Sequence, residues 1–297
     1  MDITLTDGGI ETRIIYEFNY AIGNFESFEL LENESGRDIL RQIYGSYADV
    51  AVRYGLTIQV GTPTWRASRK WTSAVGSVNA AAVELLRDVA QHAAGAGIIL
   101  AGVIGPASDG YAPSEALSAE DAFTYHREQA DALAVNDVDL LYAPTFPAFS
   151  ELYGVARAMA LTGRPYALAP MLHPDGTMLD GTPLAEAIAR IDAHVSPPPQ
   201  RYMIGCLYPT HAQTALRATR AARPDLVTRV RGLKANASPL SPTELDKLNH
   251  LAATDCETWA RDEIGCAQEF DLTILGGCCG RDQRHIEALA RRSSLVG

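Results

Sequence analysis

Basic runs are absent from this sequence: its lysines and arginines are scattered, never more than two together, and 36 acidic residues against 25 basic ones give a formal charge of −11. Nucleic acid and anionic membrane both call for basic patches, so neither is expected as a partner. A long hydrophobic run is missing too. The longest apolar stretch, Ala96 to Ile104, contains glycine and is about half of a membrane span. The opening residues Met1-Asp2-Ile3-Thr4 lack the basic start and apolar segment of a secretory signal. Cysteine is scarce and odd in number, at five residues, with no disulfide-scaffold spacing, so a stapled secreted fold is excluded and a reducing, cytoplasmic setting is predicted. No Gly-x-Gly-x-x-Gly follows the first predicted strand, where Asp7-Gly8-Gly9 is too short to cradle a dinucleotide.

What is present is a core-forming chain of 297 residues with 47% hydrophobic side chains. Short aliphatic or β-branched runs alternate with Ala/Leu/Arg/Glu-rich segments of helical period. Strands are predicted at Ile3–Asp7, Leu56–Val60, Ile98–Ile104, Asp139–Ala143, Tyr166–Pro170, Tyr202–Cys206, Val227–Gly232 and Leu272–Leu275. Helices fall between them, among them Arg37–Tyr54, Asn79–Ala94, Thr243–Glu263 and Arg281–Arg291. Strict βα alternation without a linker predicts one α/β domain over residues 1–297, a closed (β/α)₈ TIM-type barrel, with an open doubly wound sheet as the other architecture. The first βα connection, about residues 8–36, is long and carries Tyr16, Phe18, Tyr20 and Phe25. Loops of that length in compact domains are commonly functional, and the aromatic content predicts a lid.

In a barrel the active site gathers at the C-terminal ends of the strands. Cys206 ends the sixth predicted strand, and Cys278 and Cys279 follow the eighth, after Gly276 and Gly277. Three thiolates on one zinc ion leave a fourth position open. Such a centre suits alkyl transfer to a thiol better than hydrolysis, because it can take up a substrate sulfur and remove its proton. Packing as small hydrophobes is the alternative role, and it is the one expected of Cys256 and Cys266, near the seventh helix.

These residues resemble the zinc-dependent homocysteine S-methyltransferase family. The resemblance is carried by Asp7-Gly8-Gly9, Gly61-Thr62-Pro63-Thr64-Trp65-Arg66-Ala67-Ser68, Gly105-Pro106, Tyr125-His126-Arg127-Glu128-Gln129, Asp180-Gly181-Thr182, Cys206 and Gly276-Gly277-Cys278-Cys279. It implies a methyltransferase of methionine biosynthesis with Zn2+ on Cys206, Cys278 and Cys279, and with Asp7 meeting the ammonium group of the acceptor. Gly8, Thr64, Trp65, Thr145, Tyr208 and His173 join the expected substrate pocket. The partners implied are small molecules, a thiol acceptor and an onium methyl donor of the S-methylmethionine, S-adenosylmethionine or betaine type. A homodimer is compatible with the fold. Trp65, Tyr208, Tyr16 and Phe146 are expected on top-face loops, where aromatic faces attract a cationic donor.

Two departures from the family pattern fall on the acceptor pocket. Pro144 stands where the family carries a glutamate that holds the amino group, and Gly205 where an asparagine precedes the strand-six cysteine. Losing that carboxylate removes a charge-assisted hydrogen bond of about 1.5–3 kcal/mol. Homocysteine is therefore the leading acceptor by resemblance, beside another small thiol or selenol, and demethylation of an S-methyl compound is the reverse reaction. A non-catalytic zinc- or thiol-binding barrel is the alternative from another class. Lys234, predicted just after the seventh strand with no carboxylate nearby in sequence, raises a lysine-dependent lyase as a further alternative, which leaves the cysteines unexplained.

Overall fold

The computed structural model describes residues 2–93, 95–240 and 254–295. Eight parallel strands pair in chain order and close, β8 returning to β1. They are β1 (Thr4–Thr6), β2 (Thr57–Gly61), β3 (Ile98–Val103), β4 (Leu140–Phe146), β5 (Tyr166–Pro170), β6 (Arg201–Gly205), β7 (Val230–Ala235) and β8 (Ile274–Gly277). Around them run α2 (Glu34–Tyr54), α3 (Val75–His92), α4 (Ala119–Val135), α5 (Phe149–Leu161), α6 (Leu184–His194), α7 (Pro209–Ala222) with the short α8 (Pro224–Val227), α9 (Cys256–Phe270) and α10 (Gln283–Leu295). The expected barrel is the observed fold.

Local chemistry explains the elements. α2 buries Leu40, Ile43, Tyr44, Tyr47, Ala48 and Ala51, a stripe at helical spacing; the Asn33 side chain caps its start by accepting from Gly36 N, and Gly55 ends it at φ 64°. The Ser118 and Asp255 side chains cap α4 and α9 in the same way. Inside the barrel, Ala101, Val103, Leu140, Tyr142, Ala167, Ala169, Met203 and Ile274 form a separate buried cluster, as alternate residues of each strand point inward.

Several boundaries differ from expectation, and the differences matter for the site. β7 begins at Val230 rather than Val227, because Pro224 opens a helical turn that holds Val227. Lys234 therefore lies within β7, not after it. β8 begins at Ile274 rather than Leu272, because Asp271 closes α9 in the left-handed region at φ 54°. β4 extends through Phe146, so that residue is a buried strand residue beside His126, with ring centroids 5.3 Å apart, and not a loop aromatic. Of the helix expected at Thr243–Glu263, residues 243–253 lie outside the described residues. The first βα connection contains an unforeseen helix, α1 (Glu11–Tyr16), and two 3₁₀ turns, at Gly23–Phe25 and Ser27–Glu32. It packs over the barrel through buried Ile14, Phe28, Leu30 and Leu31. No described helix is long and apolar enough to cross a membrane.

Candidate metal centre

The three cysteines are positioned mainly by backbone. Cys206 follows β6 with its N–H donating to the Lys234 carbonyl, at 2.9 Å, and Cys278 donates to the Ala235 carbonyl, also at 2.9 Å. The Cys279 carbonyl accepts from Ala237, and Gly277 N donates to the Asp7 carbonyl. The adjoining strands β7, β8 and β1 thus fix one turn. A side chain at Gly276 would put Cβ 2.1 Å from Thr6 Oγ1, and one at Gly277 would put it 2.4 Å from Arg281 Cβ. The glycine pair is there for close approach, while the reversal itself is made by Gly280 at φ 76°. Behind the turn, buried Glu263 accepts from Gly276 N at 3.0 Å. Arg281, fully buried, donates to the carbonyls of Thr254 and Ala237 and stacks over Trp259.

The sulfurs of Cys206, Cys278 and Cys279 all lie within 4.8 Å of one another, and those of Cys278 and Cys279 are 4.0 Å apart. Around a tetrahedral ion with Zn–S bonds of about 2.3 Å, neighbouring sulfurs stand about 3.8 Å apart, so the trio fits a thiophilic cation with small adjustment. Cys206 is buried, Cys278 half-buried and Cys279 open to the mouth, which leaves a solvent-facing side for a fourth ligand. Among the three, negative charge is favoured on one sulfur, that of Cys206. Hydrogen bonds from Cys278 and Cys279 hold the Cys206 thiol well below its ordinary value, against the opposing effect of burial. Cys278, giving its proton toward Cys206, is pushed up to about 12. Asn236 Nδ2 donates to Cys206 Sγ at 3.6 Å, a contact of the kind that orients metal ligands. Cys256 and Cys266 stand apart, on α9, with burial raising both thiols.

Two non-glycine residues adopt left-handed backbone at this rim, Cys206 at φ 53° and Thr145 at φ 65°. For a β-branched threonine that conformation is costly and is kept only where surroundings enforce it. Thr145 Oγ1 donates to the Pro144 carbonyl and accepts from Trp65 Nε1 at 2.9 Å. Trp65 is itself clamped, with the Arg66 guanidinium 4.1 Å over its ring and Phe25 edge-on at 6.5 Å, so one cation already covers the face expected to meet a donor. Thr64 is buried, donating to the Val103 carbonyl and sharing a hydrogen bond with Thr62. Gly8 packs on the Arg281 carbonyl and the Tyr47 hydroxyl, with no room for a Cβ.

Tyr208 is buried against His211 at the start of α7, and His173 is exposed in the turn after β5; among the described residues, no hydrogen bond or ring contact joins either to the cysteines. The hydroxyl that reaches the trio is that of Tyr111, 3.7 Å from Cys206 Sγ, in the loop after β3. Its only sequence signal is an aromatic next to Gly110 in a rim loop. The helical segment Tyr125 to Gln129 turns out to be scaffolding. His126 pairs with buried Glu151, which holds Ala107 N, and Gln129 donates to the carbonyls of Thr64 and Val103.

Asp7, almost fully buried, accepts from Gly61 N at 2.6 Å through Oδ2, and its Oδ1 forms an ion pair with Lys234 Nζ. The carboxylate partner that Lys234 lacks in sequence is therefore supplied from just after β1. A lysine-dependent lyase still leaves the convergence of the three cysteine sulfurs unexplained.

The homocysteine S-methyltransferase family model matches residues 4–293 of the chain. The homocysteine S-methyltransferase of Escherichia coli K12 is 26% identical over 98% of this chain and 96% of its own length. The S-methylmethionine–homocysteine S-methyltransferase BHMT2 of Pongo abelii is also 26% identical, over 85% of this chain and 69% of its own. Among solved structures, the E. coli homocysteine methyltransferase MmuM in its metallated form superposes with a TM-score of 0.77 at 21% identity, covering 98% of this chain and 96% of that one. Its oxidized form gives 0.78.

Proposed function

The chain belongs to the homocysteine S-methyltransferase family, and from that premise we propose that it transfers a methyl group from an onium donor to the sulfur of a small thiol, in a reaction that depends on zinc. The observation that carries this reading is the convergence of three cysteine sulfurs within 4.8 Å at the barrel mouth. Cys206, Cys278 and Cys279 would hold the ion, which when bound supplies the Lewis acidity that lets an acceptor thiol lose its proton near neutral pH. The acceptor sulfur then attacks the methyl carbon in line; a C–S bond forms, the donor's own bond to that methyl breaks, and the donor leaves neutral. S-methylmethionine, named for the Pongo abelii relative, is the first donor to test, and homocysteine the first acceptor.

The chain's own residues prepare this step. Asn236 and Tyr111 contact Cys206 Sγ and fix its lone pairs. The folded first loop crosses from Glu11 to the β2 side, where Ser27 Oγ donates to Glu11 and to the Pro63 carbonyl, and so restricts water at the mouth. A cationic donor would meet this sulfur cluster with the Tyr111 ring beside it. Free thiols also call for a reducing compartment, consistent with a cytoplasmic enzyme.

The test is metal analysis of the reduced protein together with methyl transfer from S-methylmethionine to a panel of thiols, for the native chain and Cys278→Ser. One zinc per chain and turnover, both lost in the variant, is the expected result. Tight metal with no turnover for any donor and thiol would leave a metal-binding barrel without this activity.

A further inference from the structure

We infer that Lys234 sets the acceptor class: the thiol substrate carries an anionic group, a carboxylate in the simplest case, and has no ammonium group beside Asp7. This rests on the methyl-transfer reading above and sharpens it. In the strand ladder Lys234 lies between Gly205 and Gly276. Neither neighbour has a side chain to block it, and its ammonium reaches across β8 to the Asp7 carboxylate just after β1. With Gly61 N on the other oxygen, both oxygens of this buried carboxylate are engaged from within the protein. A substrate ammonium brought to Asp7 would meet a like charge already seated there.

A second observation points the same way. Inward-facing strand residues also carry hydrogen-bond donors with spare capacity. Tyr142, on β4, is 2% exposed and its hydroxyl has no hydrogen-bond partner among the described residues. Its register beside Val103 on β3 and Ala167 on β5, and its place in the interior cluster, put it on the inner face of the barrel. Arg201, at the start of β6, donates to Gln59 at 2.7 Å and to Gln200, while its buried Nε–H has no partner among the described residues. Lys234 has three N–H donors and one partner among the described residues. Buried donors without partners are costly, so unpaired ones in a site imply a ligand that accepts. On β4, Pro144 shares the inward face with Leu140 and Tyr142 and offers neither charge nor N–H. Glu11, in the first loop, is a further carboxylate on which the charges of Cys278 and Asp7 act, and its Oε1 accepts from Ser27.

The experiment is calorimetric binding of four thiols to the zinc-loaded protein: homocysteine, 4-mercaptobutanoate, 3-aminopropanethiol and 1-butanethiol. 4-Mercaptobutanoate is expected to bind at least about ten-fold more tightly than homocysteine, a difference of about 1.4 kcal/mol, and 3-aminopropanethiol most weakly. Lys234→Met, with Lys234→Gln as a second variant should loss of the pair impair folding, is expected to abolish or invert that order. Tighter binding of homocysteine by the native protein overturns the inference, and its loss in Glu11→Gln would name Glu11 as the ammonium holder instead. An order unchanged in both Lys234 variants also overturns it. If none of the four thiols binds the metal-loaded protein, the methyl-transfer reading fails, and this inference with it.

Discussion

On one side of the barrel mouth, the cysteine turn is fixed by backbone hydrogen bonds to β1 and β7 and by glycines that leave no room for a methyl group. Beside it, around Asp7 and Lys234, the fixing is done by side chains, and the neighbouring inward positions Gly205, Ala169 and Gly61 are small. The contrast follows from what each side must do. A metal centre tolerates errors of only a few tenths of an ångström in its ligands, and three strands can supply that precision. Recognition of the far end of a substrate depends on charge, which one or two side chains can change without refolding anything. The reaction is thus written into the backbone and the substrate into replaceable side chains.

The largest expected effect lies on the backbone-fixed side. Cys206→Ser should lower zinc content from about one ion per chain to about a tenth and reduce methyl transfer by roughly three orders of magnitude, since an alcohol seldom ionises to ligate zinc. Retained zinc by elemental analysis would break the comparison at its root. Next come paired Gly→Ala changes. In Gly277→Ala the new Cβ would lie 2.4 Å from Arg281 Cβ, whereas in Gly205→Ala the nearest atom is 3.6 Å away. Urea unfolding should therefore show a loss of about 1–3 kcal/mol for the first and under about 0.5 kcal/mol for the second. Equal losses would mean that the two sides are equally rigid.

Much of this was legible in the sequence, for reasons that also mark the limits. The βα alternation specified the barrel, and the barrel in turn brought Cys206 to Cys278 and Cys279 despite their separation, because strand ends share one rim. The Asp7–Lys234 pair was not legible. Its partners are 227 positions apart, and the expected end of β7 fell short, leaving Lys234 in a loop where inward and outward have no meaning. Extending the strand to Ala235 gives Gly232 and Lys234 the same inward parity. Phe146 was misread as a loop aromatic for the same reason, a strand end set too early. Tyr111 was missed because a rim loop has no periodicity from which its direction could be read.

On the recognition side, Pro144→Glu alone should improve homocysteine binding by a few-fold, because the new carboxylate meets an ammonium but Lys234 still opposes it. Combined with Lys234→Met, the gain should reach about ten-fold or more. A full gain from Pro144→Glu alone would show that the lysine does not discriminate.

The last effect returns to the metal side and concerns acid. Asp282 lies just beyond the cysteine turn, where its carboxylate accepts from His285 Nδ1 at 2.8 Å and from Arg284 Nη2 at 2.6 Å. Partial burial opposes its ionisation, yet these bonds hold the carboxyl well below the usual range. A carboxyl whose folded value is depressed contributes stability that is fully present above its unfolded value, about 3.9, and disappears as pH falls toward the folded one. Asp282→Asn should therefore cost about 1–2 kcal/mol at pH 7, with the difference from the native chain closing in strong acid. Thermal unfolding of both proteins from neutral pH downward measures this. Melting curves separated by the same interval at every pH would show that Asp282 supports the cysteine turn by shape and not by charge.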